Sequence, residues 1–80
     1  MSYTLIKVKD DGTQEHIITA PMCWSFEDES RDYPVVGDAL CVSSMDRWYR
    51  TSLVQEIIEV TPNRIKFRTL NSIYIWEKNE

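Results

Sequence analysis

Eighty residues make one domain, and a chain this short buries only about 60% of the surface its unfolded form exposes. An apolar fraction of 42%, with three Trp, four Tyr and two Phe, excludes a disordered chain. The net charge of −4 argues against a generic nucleic-acid binder, which needs a basic surface.

The charge is unevenly spread. Residues 1–46 hold nine acids against three bases, and residues 47–80 hold six bases against four acids. A local basic face in the second half is therefore compatible with the acidic total. The thin stability margin of a small domain also makes a homo-oligomer a natural expectation.

Taken in chain order, Ser2–Lys9 and Gln14–Ala20 read as two β-prone runs around Asp10-Asp11-Gly12-Thr13. An Asp-Gly pair in that setting predicts a hairpin with a type I′ turn. Pro21 ends the second run. Met22–Phe26 is a short apolar piece. Glu27–Asp32 carries four acids in six residues and predicts a solvated, mobile loop.

Val35–Val42 predicts a turn at Gly37-Asp38 that feeds a strand. Trp48–Thr51 is the next strand. Ser52–Val60 has apolar residues at helical spacing, but Val54, Ile57, Ile58 and Val60 are β-branched, which favours a strand with a bulge. Thr61-Pro62-Asn63 is a turn. Arg64–Thr69 alternates, with Ile65, Phe67 and Thr69 on one side and Arg64, Lys66 and Arg68 on the other. Ile73–Trp76 is a last short strand, and Glu77–Glu80 a polar tail.

Six or seven short strands with almost no helix predict an all-β fold. The expected form is a small SH3-like or partly open barrel over residues 35–76, with an added N-terminal β-hairpin over residues 1–20. A boundary between the two parts is expected in the acidic loop.

One internal similarity stands out. Tyr49-Arg50-Thr51-Ser52 is echoed 18 residues later by Phe67-Arg68-Thr69, followed by Leu70-Asn71-Ser72. Arg50 and Arg68 suit bidentate contacts to phosphate or carboxylate. Thr51, Ser52, Thr69 and Asn71 offer small polar groups, and Trp48 and Tyr74 offer rings for stacking. Together they are the parts of a pocket for an anionic ligand such as a nucleotide, provided the two arginines converge. The competing reading places both arginines on a solvated strand face, paired with Glu56 or Glu59.

A second candidate surface is Trp24 beside Glu27, Asp28 and Glu29. An aromatic anchor rimmed by acids suits a protein partner with a basic groove. A third possibility is a purely structural module.

Residues 36–76 are similar to short proteins of bacteriophages and bacteria. Those place a Thr-Ser-x-Val piece and a Phe-x-Thr-x-Asn-Ser-x-Tyr piece after a Val-Gly-Asp lead-in. Here these are Thr51-Ser52-Leu53-Val54, Phe67–Tyr74 and Val36-Gly37-Asp38. The resemblance implies a phage-type accessory protein of anti-defence kind, acting in the host cytoplasm. Its expected action is to sequester an anionic ligand such as a nucleotide signal, or else to inhibit a host nuclease or defence protein.

Catalysis is not expected. His16 is the single histidine and has no recognisable nucleophile partner. The acids of residues 27–32 lack the glycine and ligand rhythm of a calcium loop. Cys23 and Cys41 are too few for a structural zinc site, and sequence leaves open whether they pair. No cofactor or metal is expected. No stretch reaches the roughly 20 apolar residues of a membrane-spanning helix.

Overall fold

The computed structural model describes residues 2–79. The expected all-β fold forms, as two antiparallel sheets that do not close into a barrel. Eight strands follow in order: β1 (Ser2–Val8), β2 (Gln14–Ala20), β3 (Met22–Ser25), β4 (Leu40–Ser43), β5 (Trp48–Arg50), β6 (Val54–Thr61), β7 (Arg64–Thr69) and β8 (Ile73–Asn79). The larger sheet has the order β2-β1-β8-β7-β6, and the smaller β3-β4-β5. Only Pro21 separates β2 from β3. A residue without an N–H that fixes φ is suited to breaking the ladder there and sending the chain into the other sheet.

The N-terminal hairpin forms, and its first strand is built into the larger sheet. β1 pairs with β8 along its whole length, from Ser2 opposite Asn79 to Val8 opposite Ile73. This pairing draws Glu77, Lys78 and Asn79 into the ladder, where the sequence predicted a polar tail; Glu80 lies outside the described residues.

The hairpin turn is not type I′, which needs positive φ at both central residues. Gly12 alone has it, at +88°. Its N–H donates to the Lys9 carbonyl (2.9 Å), and the Lys9 N–H donates to the Thr13 carbonyl (2.8 Å). The result is a type I turn over Lys9–Gly12, closed by a left-handed glycine. The Asp11 carboxylate accepts from the Thr13 N–H and hydroxyl, which explains why this loop can do without a second glycine.

The strand expected over 52–60 forms from Val54 onward, while Ser52 and Leu53 stay in the loop before it. β6 pairs with β7, with register shifts between Val54 and Glu56 and between Ile57 and Glu59. The bulges reconcile the helix-like spacing with a sheet, because each extra residue moves the following side chains to the other face.

The core lies between the two sheets. Leu5, Ile18, Phe67, Tyr74 and Trp76 of the larger sheet meet Leu40 and Val42 of the smaller. Phe67 stacks on Tyr74 with centroids 5.7 Å apart, and Tyr74 meets Tyr49 edge-on at 6.2 Å. The Tyr49 and Tyr74 hydroxyls share a hydrogen bond of 2.6 Å, which satisfies both polar tips at the seam between the sheets.

Candidate functional site

The two aromatic-Arg-Thr copies turn out to share a strand geometry. In each the aromatic ring points inward, the Arg outward and the Thr inward again, which is the period of a half-buried strand. Thr51 and Thr69 are both buried and both serve the backbone. The Thr51 hydroxyl accepts from the Leu40 N–H and donates to the Ser52 carbonyl. The Thr69 hydroxyl donates to the Ser72 carbonyl and accepts from the Ser72 N–H (3.2 Å), closing the β7–β8 turn. Tyr74 is likewise buried in the core and offers no stacking surface.

The arginines do not converge. Arg50 stands on β5 of the smaller sheet, its guanidinium 4.9 Å from the centre of the Phe26 ring. Arg68 stands on β7 of the larger sheet and meets Glu56 at 3.5 Å. The cross-sheet partner anticipated for a solvated strand face is therefore present at Arg68. The alternation read over 64–69 is also observed, with Ile65, Phe67 and Thr69 buried and Arg64 and Arg68 exposed.

Part of the expected set does assemble. The Leu70 N–H donates to the Leu53 carbonyl (3.2 Å), and Val54 pairs with Thr69. This brings the loop holding Ser52 against the β7–β8 turn. A groove of about 590 Å³ opens beside that turn, lined by Arg68, Thr69, Leu70, Asn71 and Ser72 from one side. The other side is the β1 end of the N-terminal hairpin, with Lys7, Val8, Lys9 and Asp10. Lys7 and Lys9 went unnoticed in the sequence as site residues. Their signal was the hairpin itself, since a strand end is where two lysines two residues apart share a face. Trp48, Arg50, Thr51, Ser52 and Tyr74 do not line this groove.

Three cations and one acid line the groove, and two of the cations have a carboxylate of their own beside them. Lys9 meets Glu15 at 3.5 Å, and both members of this pair are about half exposed, as are Arg68 and Glu56. Such surface pairs are worth about 0–1 kcal/mol and exchange readily for a better anion.

The acidic loop is tightly folded. The Ser25 N–H donates to the Arg31 carbonyl, and the Arg31 N–H to the Asp28 carbonyl. The Asp28 carboxylate accepts from the Ser30 N–H and hydroxyl, which holds its pKa below the usual carboxylate value. Asp28 is thus engaged in shaping the loop, while Glu27 and Glu29 are exposed. Asp38 anchors the loop from beneath. Its buried carboxylate accepts from the Ser25 hydroxyl and from the Glu27 and Ala39 N–H groups. Trp24 and Glu29 share a second cavity, of about 400 Å³, with Tyr3 and Cys23.

Cys23 and Cys41 are both free. Cys23 faces Val42 across the ladder and Cys41 faces Trp24, so the two thiols lie on opposite faces of the smaller sheet. His16 lies exposed on β2, with Nε2 2.7 Å from the Thr19 hydroxyl.

A raised pKa at Tyr3, Cys23, Cys41 and Tyr74, in the last three chiefly through burial, ties stability to alkaline pH. A hydrogen bond to Asp32 (2.8 Å), helped by burial, pushes the Tyr3 hydroxyl from 10.0 up to about 12. Burial pushes the Cys23 thiol from 9.0 up to about 12. The buried Trp76 indole N–H makes no full hydrogen bond, and its attraction for a Cys23 thiolate opposes that rise. The folded state therefore holds protons that the unfolded chain releases first. The contribution of Tyr3 and Cys23 is complete below pH 9 and is lost as pH rises from 9 toward 12. The melting temperature is expected to be level near pH 8 and to fall steadily above pH 9. A Tyr3→Phe, Cys23→Ala double variant should show a shallower fall. An unchanged slope in that variant would refute the assignment.

Among the described residues no group of three or more His, Cys, Asp or Glu is placed to hold a metal ion. No helix is long and apolar enough to cross a membrane. Comparison with known proteins finds no matching family model, curated protein or solved structure.

Proposed function

We propose that this protein binds and does not catalyse, and that it captures a small phosphate-bearing anion in the groove between the β1 end and the β7–β8 turn. The observation that carries this reading is the groove at the shared end of β1, β7 and β8, which Lys7, Lys9, Arg68, Asn71 and Ser72 line, with Arg68 on the outer face beside Ile73 and Lys7 on the inner face beside Tyr74. Arg68 supplies a planar fork for a phosphate, and the lysines supply compact point charges. Asn71 and Ser72 add neutral donors that fix orientation. Val8, Leu70 and Ile73 give an aliphatic wall for an apolar or planar part of the ligand. The volume falls within the range of about 300–1,000 Å³ common for small-molecule sites. A nucleotide signal combines these features. Sequestering one is a fitting role for the phage-type accessory proteins that residues 36–76 resemble.

Against the sequence expectation, the proposed site has no aromatic stacking platform and does not use Arg50. That difference supplies the test. A panel of nucleotides and cyclic dinucleotides is screened by thermal shift and then by calorimetry. At least one should raise the melting temperature by mass action. Arg68→Ala should weaken it about tenfold or more, since a charged hydrogen bond contributes about 1.5–3 kcal/mol. Arg50→Ala should leave it unchanged. The proposal is wrong if no member of the panel binds, or if the two arginine variants lose affinity equally.

A further inference from the structure

The smaller sheet has one face on the core and one face bare. Register fixes which side chains the bare face carries. Cys23 and Tyr49 pack against the core, and Val42 between them is fully buried in it. Their neighbours along each strand must therefore point the other way. Those neighbours form two cross-strand rows, Met22–Ser43–Trp48 and Trp24–Cys41–Arg50. Phe26 extends the β3 side by the same period, its N–H donating to the Ala39 carbonyl (2.9 Å).

This face is not the polar outer surface that a solvated antiparallel sheet carries. Trp48 is 67% exposed, Met22 57% and Phe26 53%. Cys41 in the middle strand is only 2% exposed, because the bulky side chains on both flanks cover it. Trp, Phe, Met and Arg are the residues enriched where proteins bury a surface against one another.

We infer that this face is the contact between two copies of the chain. The surface is complementary to itself. β3 carries Trp24 and leads through Phe26 directly into Glu27 and Glu29, while β5 carries Arg50, the one cation in the two rows. A two-fold axis parallel to the strands lays β5 of each copy over β3 of the other. It carries each Arg50, whose guanidinium lies 4.9 Å from the centre of the Phe26 ring of its own chain, toward Trp24 of the partner subunit and the partner's acidic loop. The guanidinium then keeps its own ring and gains a carboxylate.

The area agrees with a weak, specific dimer. With aromatic side chains of about 150–250 Å² each, the exposed parts of this face come to about 500 Å² per copy. Two copies then bury about 1,000 Å², the lower end for a specific interface. The anion groove lies on the other sheet and is complete within one chain, so the dimer is independent of the ligand proposal.

Sedimentation equilibrium and light scattering across micromolar to millimolar protein test the inference. The intact chain should pass from monomer to dimer within that range, and salt should weaken the dimer. Trp48→Glu and Met22→Glu should each remain monomeric at every concentration. Their circular dichroism should be unchanged, because both side chains are exposed. Arg50→Glu alone and Glu27→Arg/Glu29→Arg alone should each weaken self-association at least several-fold, and mixing the two should restore a dimer. An intact chain that stays monomeric throughout overturns the inference and leaves the face to a different protein with a basic rim. A dimer that survives Trp48→Glu and Met22→Glu overturns it by placing the contact elsewhere.

Discussion

Asp38→Ala is expected to remove about 3–5 kcal/mol of stability, because it strands a hydroxyl and two N–H donors in a dry site at about 1–3 kcal/mol each. A chain of this length holds about 4–12 kcal/mol in all, so this variant should give up a large share of the total. The carboxylate has no cation beside it among the five ion pairs found in the described residues. It is held instead by Ser25, Glu27 and Ala39. The same residue's carbonyl accepts from the Val54 N–H (2.9 Å). One position thus ties the acidic loop, the lead-in to β4 and the start of β6. Asp38→Asn keeps the shape and one acceptor oxygen, but turns an N–H₂ toward donors, and should cost about half as much. Urea titration of the three proteins measures this directly. A loss below about 1 kcal/mol for Asp38→Ala would mean that water replaces the carboxylate at little cost, and that the site is not dry.

Phe67→Ala is the other large effect, at about 3–5 kcal/mol. Phe67 is fully buried, stacks on Tyr74 and sits on the central part of β7, between β6 and β8. Removing the ring leaves a cavity that three strands cannot close, since their backbones are held by the ladder. It also frees Tyr74, whose hydroxyl bond to Tyr49 links the two sheets. Phe67→Leu should cost about 1–2 kcal/mol, because it keeps most of the volume. Near-ultraviolet circular dichroism should lose its tyrosine signal in the alanine variant before far-ultraviolet signal is lost. Equal stability of the alanine and leucine variants would show that the site collapses around the deletion.

These two positions illustrate what could be read in advance. Phe67 was legible, because Ile65, Phe67 and Thr69 alternate against three basic residues and alternation reports a buried face directly. Asp38 was read only as part of a tight bend. Its burial depends on Ser25 and Glu27, residues 13 and 11 positions away, and no local pattern marks a carboxylate as the acceptor for a distant loop. The acidic loop shows the same limit. Its charges announced water, while its fold depends on backbone bonds and on an Asp28–Ser30 turn within it.

The candidate site divides along the same line. Arg68, Asn71 and Ser72 belong to one strand end and its turn, so they stay together wherever that turn goes. Arg50 looked equivalent because its neighbours in the sequence are equivalent. Its side chain lies on the other sheet because β5 pairs with β4, and nothing in Tyr49-Arg50-Thr51 encodes which strand will be its partner.

Side-chain alternation, Gly12, Pro21 and Pro62 act within a few residues of themselves, so the existence of most strands and the places of the turns were legible before the fold was known. The tertiary structure alone decided that β1 lies against β8, which puts Lys7 and Lys9 beside Arg68, and that Arg50 belongs to the bare face with Trp24 and Trp48. Those placements follow from which strands pair across the whole chain. Strand pairing is settled by how the two inner faces fill one core, a property of all eight strands together.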